Sequence, residues 1–268
     1  MQKLTFRVYK VIIIFILLFV SVSADTGEEV ILLSDVNWEK LNPARGDKSP
    51  QAGTLWGNRN GEVPTGFLVK FIDGFSSPPH IHNVTYRGVV INGFIHNDDP
   101  RAEKMWMPSG SFWTQPAGEV HITAAKGEYN LAYIEIDNGP YLVKPTDDSF
   151  DNGERPVNVD ESNIVWIKQR EASIAYLWGA PQDDQLYGAM IKLPAGSSMK
   201  ICNHGSIFHA VVIKGQLQYR VTRSNTTDMM PGSYFNASKN SIHDVTTGES
   251  EESIIYVRTN GKLDIFCQ

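Results

Sequence analysis

The chain has 268 residues, which is enough for two ordinary domains because single hydrophobic cores usually split before this length. Its 24 Lys and Arg against 30 Asp and Glu give a net charge of −6, with no basic stripe along the sequence. Binding to a phosphate backbone needs such a stripe, and this composition therefore excludes nucleic acid as an expected partner.

The N-terminus has the organisation of a secretory signal. Basic residues precede an apolar run of twelve residues from Val11 to Val22, and the small residue Ala24 follows it. A run of this length is short of the about 20 residues that a membrane-spanning helix needs. We therefore predict that residues 1–24 are a removed signal peptide and that the protein is periplasmic or secreted, without a membrane association.

The remaining chain contains one pattern twice, at an offset of 122 residues. The triplet at 55–57 recurs at 177–179, and His121 aligns with His243 without a gap. Short runs of strand-forming residues, separated by Gly, Pro and Asn-Gly, fill both copies, and no amphipathic helix of ten residues emerges. We predict an all-β fold of two tandem barrels related by internal duplication.

The predicted domain boundaries follow from composition. The first barrel is expected over residues 25–145 and the second over 162–268. Residues 146–161 between them are rich in Pro, Asp, Asn and Gly and lack apolar periodicity, which predicts a linker.

Three histidines of the first copy have the spacing of a metal site. His80 and His82 are two residues apart on a predicted strand, and their side chains therefore point to the same face. A third ligand is expected from His121, which follows a predicted turn at 116–118. Three neutral imidazoles can hold a divalent transition metal and leave coordination positions open for water or substrate.

These residues resemble the two sequence motifs of the cupin superfamily, with every interval matched. The first motif falls on Gly74, His80, His82, Tyr86 and Gly93, and the second on Gly110, Pro116, Gly118, His121 and Ala125. The resemblance implies cupin jelly-roll barrels, also called double-stranded β-helices, and metal ligation by His80, His82 and His121. Tyr86 replaces the usual glutamate ligand and Ala125 the usual asparagine. Segments 41–47, 55–57, 66–71, 77–88 and 110–119 further resemble an uncharacterised bacterial family of secreted bicupins, described as a domain of unknown function.

The second copy keeps the frame and changes the ligands. Cys202, His204 and His243 occupy the three ligand slots and could bind a metal through a thiolate and two imidazoles. The Pro and Gly of the turn before the third ligand have become Ser238 and Asn240, which predicts a degenerate site.

The two cysteines outside the signal peptide are Cys202 and Cys267. An oxidising compartment would allow a disulfide between them. The repeat instead aims Cys202 into the second barrel, and a free, buried Cys202 is the favoured expectation.

Expectations for three further residues follow from their positions in the sequence. Tyr86 either packs as an aromatic on its strand or acts at the metal as a hydrogen-bond donor, base or weak ligand. His96 is expected to be exposed in a turn, and His209 is expected near the mouth of the second barrel.

The leading functional hypothesis is a small-molecule metalloenzyme, because the three-histidine site without glutamate resembles those of acetylacetone-cleaving and thiol dioxygenases of the cupin superfamily. Fe(II) is the cofactor expected for that chemistry, and Zn(II) competes for the same ligands outside the cytoplasm. One alternative is a metal-dependent lyase or isomerase in which Tyr86 removes a proton. Another is a non-catalytic module that binds or senses a small ligand. The expected partner is a small molecule, and a homodimer is left open.

Overall fold

The structure is a computed structural model that describes residues 29–182, 184–222 and 225–267. The predicted signal peptide, residues 1–24, lies outside the described residues. The helices are short 3-10 turns at Leu33–Asp35, Pro43–Lys48, Thr146–Asp148 and Glu161–Asn163. Within the described ranges, no helix has the length and apolar character needed to cross a membrane.

The rest of the regular structure is β-strand. The first half contains β1 (Val30–Ile31), β2 (Glu39–Lys40), β3 (Gln51–Trp56), β4 (Thr65–Phe71), β5 (Ile81–His82), β6 (Tyr86–Asp98), β7 (Phe112–Gln115), β8 (Ile122–Ile136) and β9 (Val143–Lys144). The second half contains β10 (Val157–Val159), β11 (Ile167–Gln169), β12 (Ala172–Gly179), β13 (Tyr187–Leu193), β14 (Ser198–Asn203), β15 (Ile207–Lys214), β16 (Leu217–Thr222), β17 (Asn225–Met229), β18 (Tyr234–Ser238), β19 (Ser241–Thr247), β20 (Ser253–Thr259) and β21 (Leu263–Cys267).

Two seven-stranded antiparallel sheets repeat the same arrangement of strands. Their orders are β10-β7-β6-β8-β4-β3-β2 and β1-β18-β15-β20-β13-β12-β11, in which each strand occupies the place of its repeat in the other sheet. A five-stranded sheet, β17-β16-β19-β14-β21, closes the second barrel. The pair β5-β9 and the far ends of β6 and β8 close the first barrel. The predicted all-β fold of two tandem cupin jelly-roll barrels is confirmed.

The first strand of each half pairs with the other half. Val30 of β1 pairs with Phe235, and Asn158 of β10 pairs with Trp113 at the equivalent position of the repeat. The segment 146–161, predicted as a linker, therefore contributes a strand to the first barrel, and the N-terminal strand belongs to the sheet of the second. The predicted boundaries at 145 and 162 do not separate two self-contained barrels.

Alternation along the central strands builds three hydrophobic cores. In β4, Phe67 and Val69 lie in the core of the first barrel, whereas Leu68 lies in a core that combines residues of both halves. In β13, Ile191 lies inside the second barrel and Met190 in the shared core. The middle of each strand is apolar because both of its faces are buried there.

A buried polar cluster crosses this interface between the barrels. Arg258 Nη1 lies 3.3 Å from Glu135 Oε1, and Arg258 Nη2 lies 2.7 Å from an oxygen of Asp137. The hydroxyls of Tyr256 and Tyr133 donate to the two oxygens of Glu135 at 2.8 and 3.1 Å. Burial of a carboxylate and a guanidinium is tolerated here because every charged group has a partner.

His209 also lies at this interface, and the expectation that it faces the mouth of the second barrel is wrong. Its ring stacks on Trp56 of the first half at 4.1 Å, and its Nδ1 contacts the hydroxyl of Tyr234 at 2.7 Å. Arg87, in the same slot of the first repeat, lies 3.8 Å above the ring of Trp178. The two halves therefore contact each other through equivalent positions of the repeat. At each position a side chain of one half covers a tryptophan ring of the other half.

The ion pair between the barrels predicts an asymmetric response to substitution. Arg258→Met leaves the carboxylate of Glu135 buried without its cation, and we expect a loss of about 3–5 kcal/mol in the free energy of unfolding. Adding Glu135→Gln removes the unpaired charge while keeping an acceptor for the tyrosines, and most of the loss should return. Urea unfolding of both variants tests this, and equal losses would show that charge burial is not the cause.

Candidate metal centre

Inside the first barrel, His80, His82 and His121 bring their ring nitrogens together. Among the described residues they form the one group of three metal-ligating side chains whose ligand atoms all lie within 4.8 Å of one another. All three are buried, with side-chain exposures of 8%, 3% and 1%. The structure therefore assembles the predicted set of metal ligands.

The backbone holds these three residues in register. The N–H of His80 donates to the carbonyl of His121 at 3.1 Å, and the N–H of His121 donates back at 3.0 Å. Residues opposite each other in such an antiparallel pair point to the same side, and His82 follows because it lies two residues further along. The N–H of Gly118 donates to the carbonyl of His82. Gly118 has a φ of 77°, and a Cβ at this position would lie 2.4 Å from the carbonyl oxygen of Phe150. The turn before His121 therefore needs glycine.

Backbone carbonyls fix the tautomer of every imidazole. The Nδ1 atoms of His80, His82 and His121 lie 2.9, 3.1 and 3.1 Å from the carbonyl oxygens of Pro78, Leu142 and Glu119. A carbonyl oxygen can only accept, and each Nδ1 must therefore carry the proton. All three Nε2 atoms are left without a proton, which is the form that binds a metal.

Burial keeps the imidazoles neutral. Desolvation lowers the pKa of His121 to about 3 and lowers the pKa of His82 well below 6.5, with further lowering from the neighbouring imidazoles. Desolvation also lowers the pKa of His80, and the carbonyl of Pro78 partly opposes that shift. Protons therefore compete weakly for these nitrogens at neutral pH.

The arrangement fits a divalent cation. The Nε2 atoms of His80 and His82 lie 3.2 Å apart, and neither can donate to the other because both protons are on Nδ1. The lone pairs of two Nε2 atoms that face each other in a buried site repel. A cation bound between these nitrogens removes the repulsion, because both lone pairs then coordinate it. Three neutral imidazoles are a donor set typical of divalent transition metals.

Tyr86 lies beside the histidines, as expected for a residue at the motif position where cupins usually have a glutamate. Its hydroxyl donates to Oδ1 of Asn97 at 2.8 Å and lies 3.3 Å from Nε2 of His121. Asn97 is held by Gln115, to which its amide donates at 2.9 Å, and by the hydroxyl of Thr123 at 2.7 Å. Desolvation raises the pKa of Tyr86, and the side chain is a neutral phenol.

A second tyrosine at the centre is absent from the sequence prediction. Tyr141 stacks on the ring of His82 at 4.3 Å, and its hydroxyl lies 3.2 Å from Nε2 of His82. It lies after β8, outside both motifs, in the segment that leads into β9. Tyr141 follows Pro140 and precedes two apolar residues, 142 and 143. This short apolar stretch is the sequence feature that could have indicated a segment lining the pocket.

His80 and His82 line a cavity of about 370 Å³, and His121 lies behind them, in ring contact with both. The cavity walls are mainly apolar and include Val69, Phe71, Trp113 and Ile134. A volume in this range is typical of pockets for small organic ligands. The cavity can therefore hold a small molecule directly against the metal centre.

The second barrel does not assemble the alternative ligand set. In β14, Ile201 pairs with His243, and Cys202 pairs with Ile242, which is 62% exposed. In the first barrel His80 pairs with His121, whereas Cys202 and His243, which align with them in the ungapped repeat, are out of register by one residue. A shift of one residue turns every side chain to the other face of a strand, and Cys202 therefore points away from His243.

The other members of that set have different partners. His204 is about half exposed and lies 2.9 Å from Asp264. His243 is buried between aromatic rings, stacking on Phe208 at 4.3 Å, and its Nδ1 contacts the hydroxyl of Tyr219 at 2.8 Å. The prediction of a degenerate second site agrees with this arrangement.

Both cysteines are free, and Cys202 is buried. Cys202 pairs with Asp264, whereas Cys267 pairs with Met199, three residues away along β14. Three steps of a strand span about 10 Å, which exceeds the Cα separation of about 7 Å that a disulfide allows. The favoured expectation of a free, buried Cys202 is confirmed, although it does not point into the barrel.

His96 is buried, and its expected exposure in a turn is wrong. The strand β6 continues through Asp98, and His96 pairs with Ala124 of β8. Its side chain is 1% exposed. The polar residues after it suggested a loop, but they lie on a long strand that bends from one sheet of the barrel into the other.

The fold is that of two cupin-type jelly-roll barrels, and three histidines with the geometry of a candidate metal site converge inside the first. The sequence matches the family described as Domain of unknown function (DUF4437) over residues 29–266, and the chain belongs to that family. A comparison with curated proteins finds no match.

Solved structures share this fold at low sequence identity. A proposed dioxygenase from Nostoc punctiforme superposes with a TM-score of 0.66 at 12% identity, covering 91% of this chain and 87% of that one. An oxalate decarboxylase from Lactobacillus farciminis, solved as a formate complex, gives a TM-score of 0.59 at 11% identity, covering 89% and 88%. An oxalate decarboxylase from Bacillus subtilis gives 0.56 at 12% identity, covering 89% and 78%. At these identities the likeness shows the fold alone.

The convergence of the three histidines predicts about one divalent metal per chain. His80→Ala combined with His82→Ala removes two of three ligands, and binding should be lost. Metal content after dialysis, measured by plasma emission, checks this. The matched control is Cys202→Ala with His204→Ala, the equivalent positions of the second barrel, which should keep the metal. Full metal content in the histidine variant would contradict the assignment.

The buried histidine of the second barrel predicts a pH dependence of stability. Burial lowers the pKa of His243 from 6.5 to about 4. The unfolded chain therefore takes up this proton first as the pH falls, and stability is full above pH 6.5 and declines towards pH 4. In His243→Leu, the slope of unfolding free energy against pH should fall by up to about 1.4 kcal/mol per unit over that window. Urea unfolding of metal-free protein measures it, and an unchanged slope would contradict the burial effect.

Proposed function

We propose that this protein is a periplasmic or secreted metalloenzyme that oxidises a small organic molecule with dioxygen, using Fe(II) held by His80, His82 and His121. The observation that carries the proposal is the convergence of three neutral imidazoles, two of which, His80 and His82, line a mainly apolar cavity. A reaction with dioxygen is proposed because a metal held by three imidazoles keeps coordination positions open for both substrate and oxygen. The signal-like N-terminus supports the location.

The metal would supply open coordination positions and, as Fe(II), a redox change that Zn(II) does not offer. The apolar walls keep bulk water from the reacting groups, and electrostatic interactions inside are strengthened accordingly. Three histidines without a carboxylate leave the charge of the ion uncompensated by the protein, which favours an electron-rich oxygen or sulfur atom of the substrate at the centre.

Tyr86 is suited to hold and donate a proton at this centre. Its hydroxyl bond to Asn97 fixes the phenol oxygen at 3.3 Å from Nε2 of His121, and rotation about the C–O bond redirects the proton to the centre. Tyr141 places a second hydroxyl on the other side, at His82. Both phenols can donate hydrogen bonds to a substrate oxygen.

The alternative of a lyase or isomerase with Tyr86 as base is less well supported. The hydroxyl of Tyr86 donates to Oδ1 of Asn97, and burial raises its pKa in the metal-free protein, so that the phenol holds the proton that a base would have to lose. A reaction without redox chemistry would proceed with Zn(II) as well as with Fe(II). The metal dependence of oxygen uptake therefore separates the two functions.

The functional test combines metal loading with a substitution at Tyr86. Protein loaded anaerobically with Fe(II) should consume oxygen with a member of a panel of 1,3-diketones and thiols, and Zn(II)-loaded protein should not. Tyr86→Phe removes only the hydroxyl, and we expect full metal content with at least about 100-fold lower uptake. The exposed Tyr129→Phe is the matched control.

Each result of this test has a defined meaning. Turnover of the panel with Zn(II) and without oxygen would favour the lyase, and binding without turnover would favour a sensing module. Equal loss of metal and activity in Tyr86→Phe would make the phenol a metal ligand. Unchanged activity would show that the hydroxyl of Tyr86 has no part in the reaction and that the side chain only packs in the core.

A further inference from the structure

The cavity of the first barrel has a closed floor and an apolar mouth. At the floor, His82, Tyr86 and Trp113 are 1–3% exposed. At the mouth, Leu41 and Val143 line the same cavity and are 38% and 64% exposed. Exposed apolar side chains around an opening are typical of a site that admits an apolar ligand. A molecule in the cavity therefore has one end at the histidines and the other near residues 41–45.

Arg45 stands at this mouth on a well-defined turn. Asn42 accepts from the N–H of Ala44 through its side chain at 3.2 Å and from the N–H of Arg45 through its carbonyl at 3.0 Å. The guanidinium lies 5.0 Å from the ring centre of Phe75, and Nη2 donates one bond to the carbonyl of Ser76 at 3.4 Å. Backbone and side-chain contacts thus direct a cation over the opening.

The charge of Arg45 has no acidic partner. Among the described residues that line the cavity, it is the one with a permanent charge, and no Asp or Glu lines the same space. It is absent from the ion pairs of the described chain, whereas Arg59 and Arg87 pair with Glu39 and Asp137 at 2.6 and 2.9 Å. Most N–H groups of Arg45 are therefore available to an anion.

We propose that the substrate is an amphiphilic monoanion, whose carboxylate or similar group binds Arg45 while its apolar body lies along the walls. The reacting group then lies at the histidines, and this last part rests on the proposed function. Arg45 is the residue that determines specificity for the charged end. The affinity comes from the apolar walls and the orientation from a charge-assisted hydrogen bond.

Other classes of ligand fit less well. A cationic ligand would meet the guanidinium with no carboxylate in the lining to compensate. A compact dianion would leave the apolar walls, such as Val69, Phe71 and Ile134, facing water. A neutral apolar molecule would fill the cavity and leave Arg45 unpaired at the mouth.

Octanoate and octanamide test the charged end, since they share a chain length and differ in charge. Isothermal titration of the metal-loaded full chain should show tighter binding of octanoate, and Arg45→Gln should lower its affinity about tenfold while leaving octanamide unchanged. Lys48→Gln is the matched control, because it removes a positive charge from the same turn at an exposed position outside the cavity. Chelator-treated protein should retain the preference.

The outcomes separate this proposal from the proposed function. No preference for octanoate, a preference kept in Arg45→Gln, or equal loss in Lys48→Gln would overturn the role of Arg45. Loss of the preference on chelation would mean that the carboxylate binds the metal, and would also overturn it. Absence of metal or of oxygen uptake, with the Arg45-dependent preference intact, would instead overturn the function and leave the anion site standing.

Discussion

The paired backbone hydrogen bonds between His80 and His121 are the constraint on which the metal centre depends. They place two imidazoles on one face of the barrel, and the two-residue period of the strand adds His82. Around this register the carbonyls of Pro78, Leu142 and Glu119 then orient the rings. A set of ligands thus follows from backbone pairing, with the side chains contributing only their chemistry.

The second barrel shows how much that register matters. The frame of strands is kept, and Phe208 occupies the slot of Tyr86, but Ile201 rather than Cys202 faces His243. The inner face of the strand is therefore apolar, and His243 packs among aromatic rings with a lowered pKa. The imidazole at this position converges with two others in the first repeat and is part of a hydrophobic core in the second, because the pairing of the neighbouring strand differs by one residue.

The sequence allowed the fold, the duplication and the first ligand set to be predicted, because these depend on local periodicity and on spacing within the chain. That His80 and His82 point to the same face could be predicted from the two-residue period of a strand alone. The slip at Cys202 could not be predicted, since an ungapped alignment assumes that pairing is repeated as well as sequence. Tyr141 and Arg45 reach the cavity from segments outside both motifs, and their placement depends on long-range packing. The burial of His96 was hidden because polar residues after it suggested a loop.

The exchange of first strands makes each barrel depend on the other for a complete sheet. Because β10 covers β7 and β1 covers β18, each duplicate shields an edge of the other, and neither can be discarded without exposing unpaired backbone. The second barrel therefore has a structural role that does not depend on a metal site: it covers an edge strand of the first barrel, and the first covers an edge strand of the second.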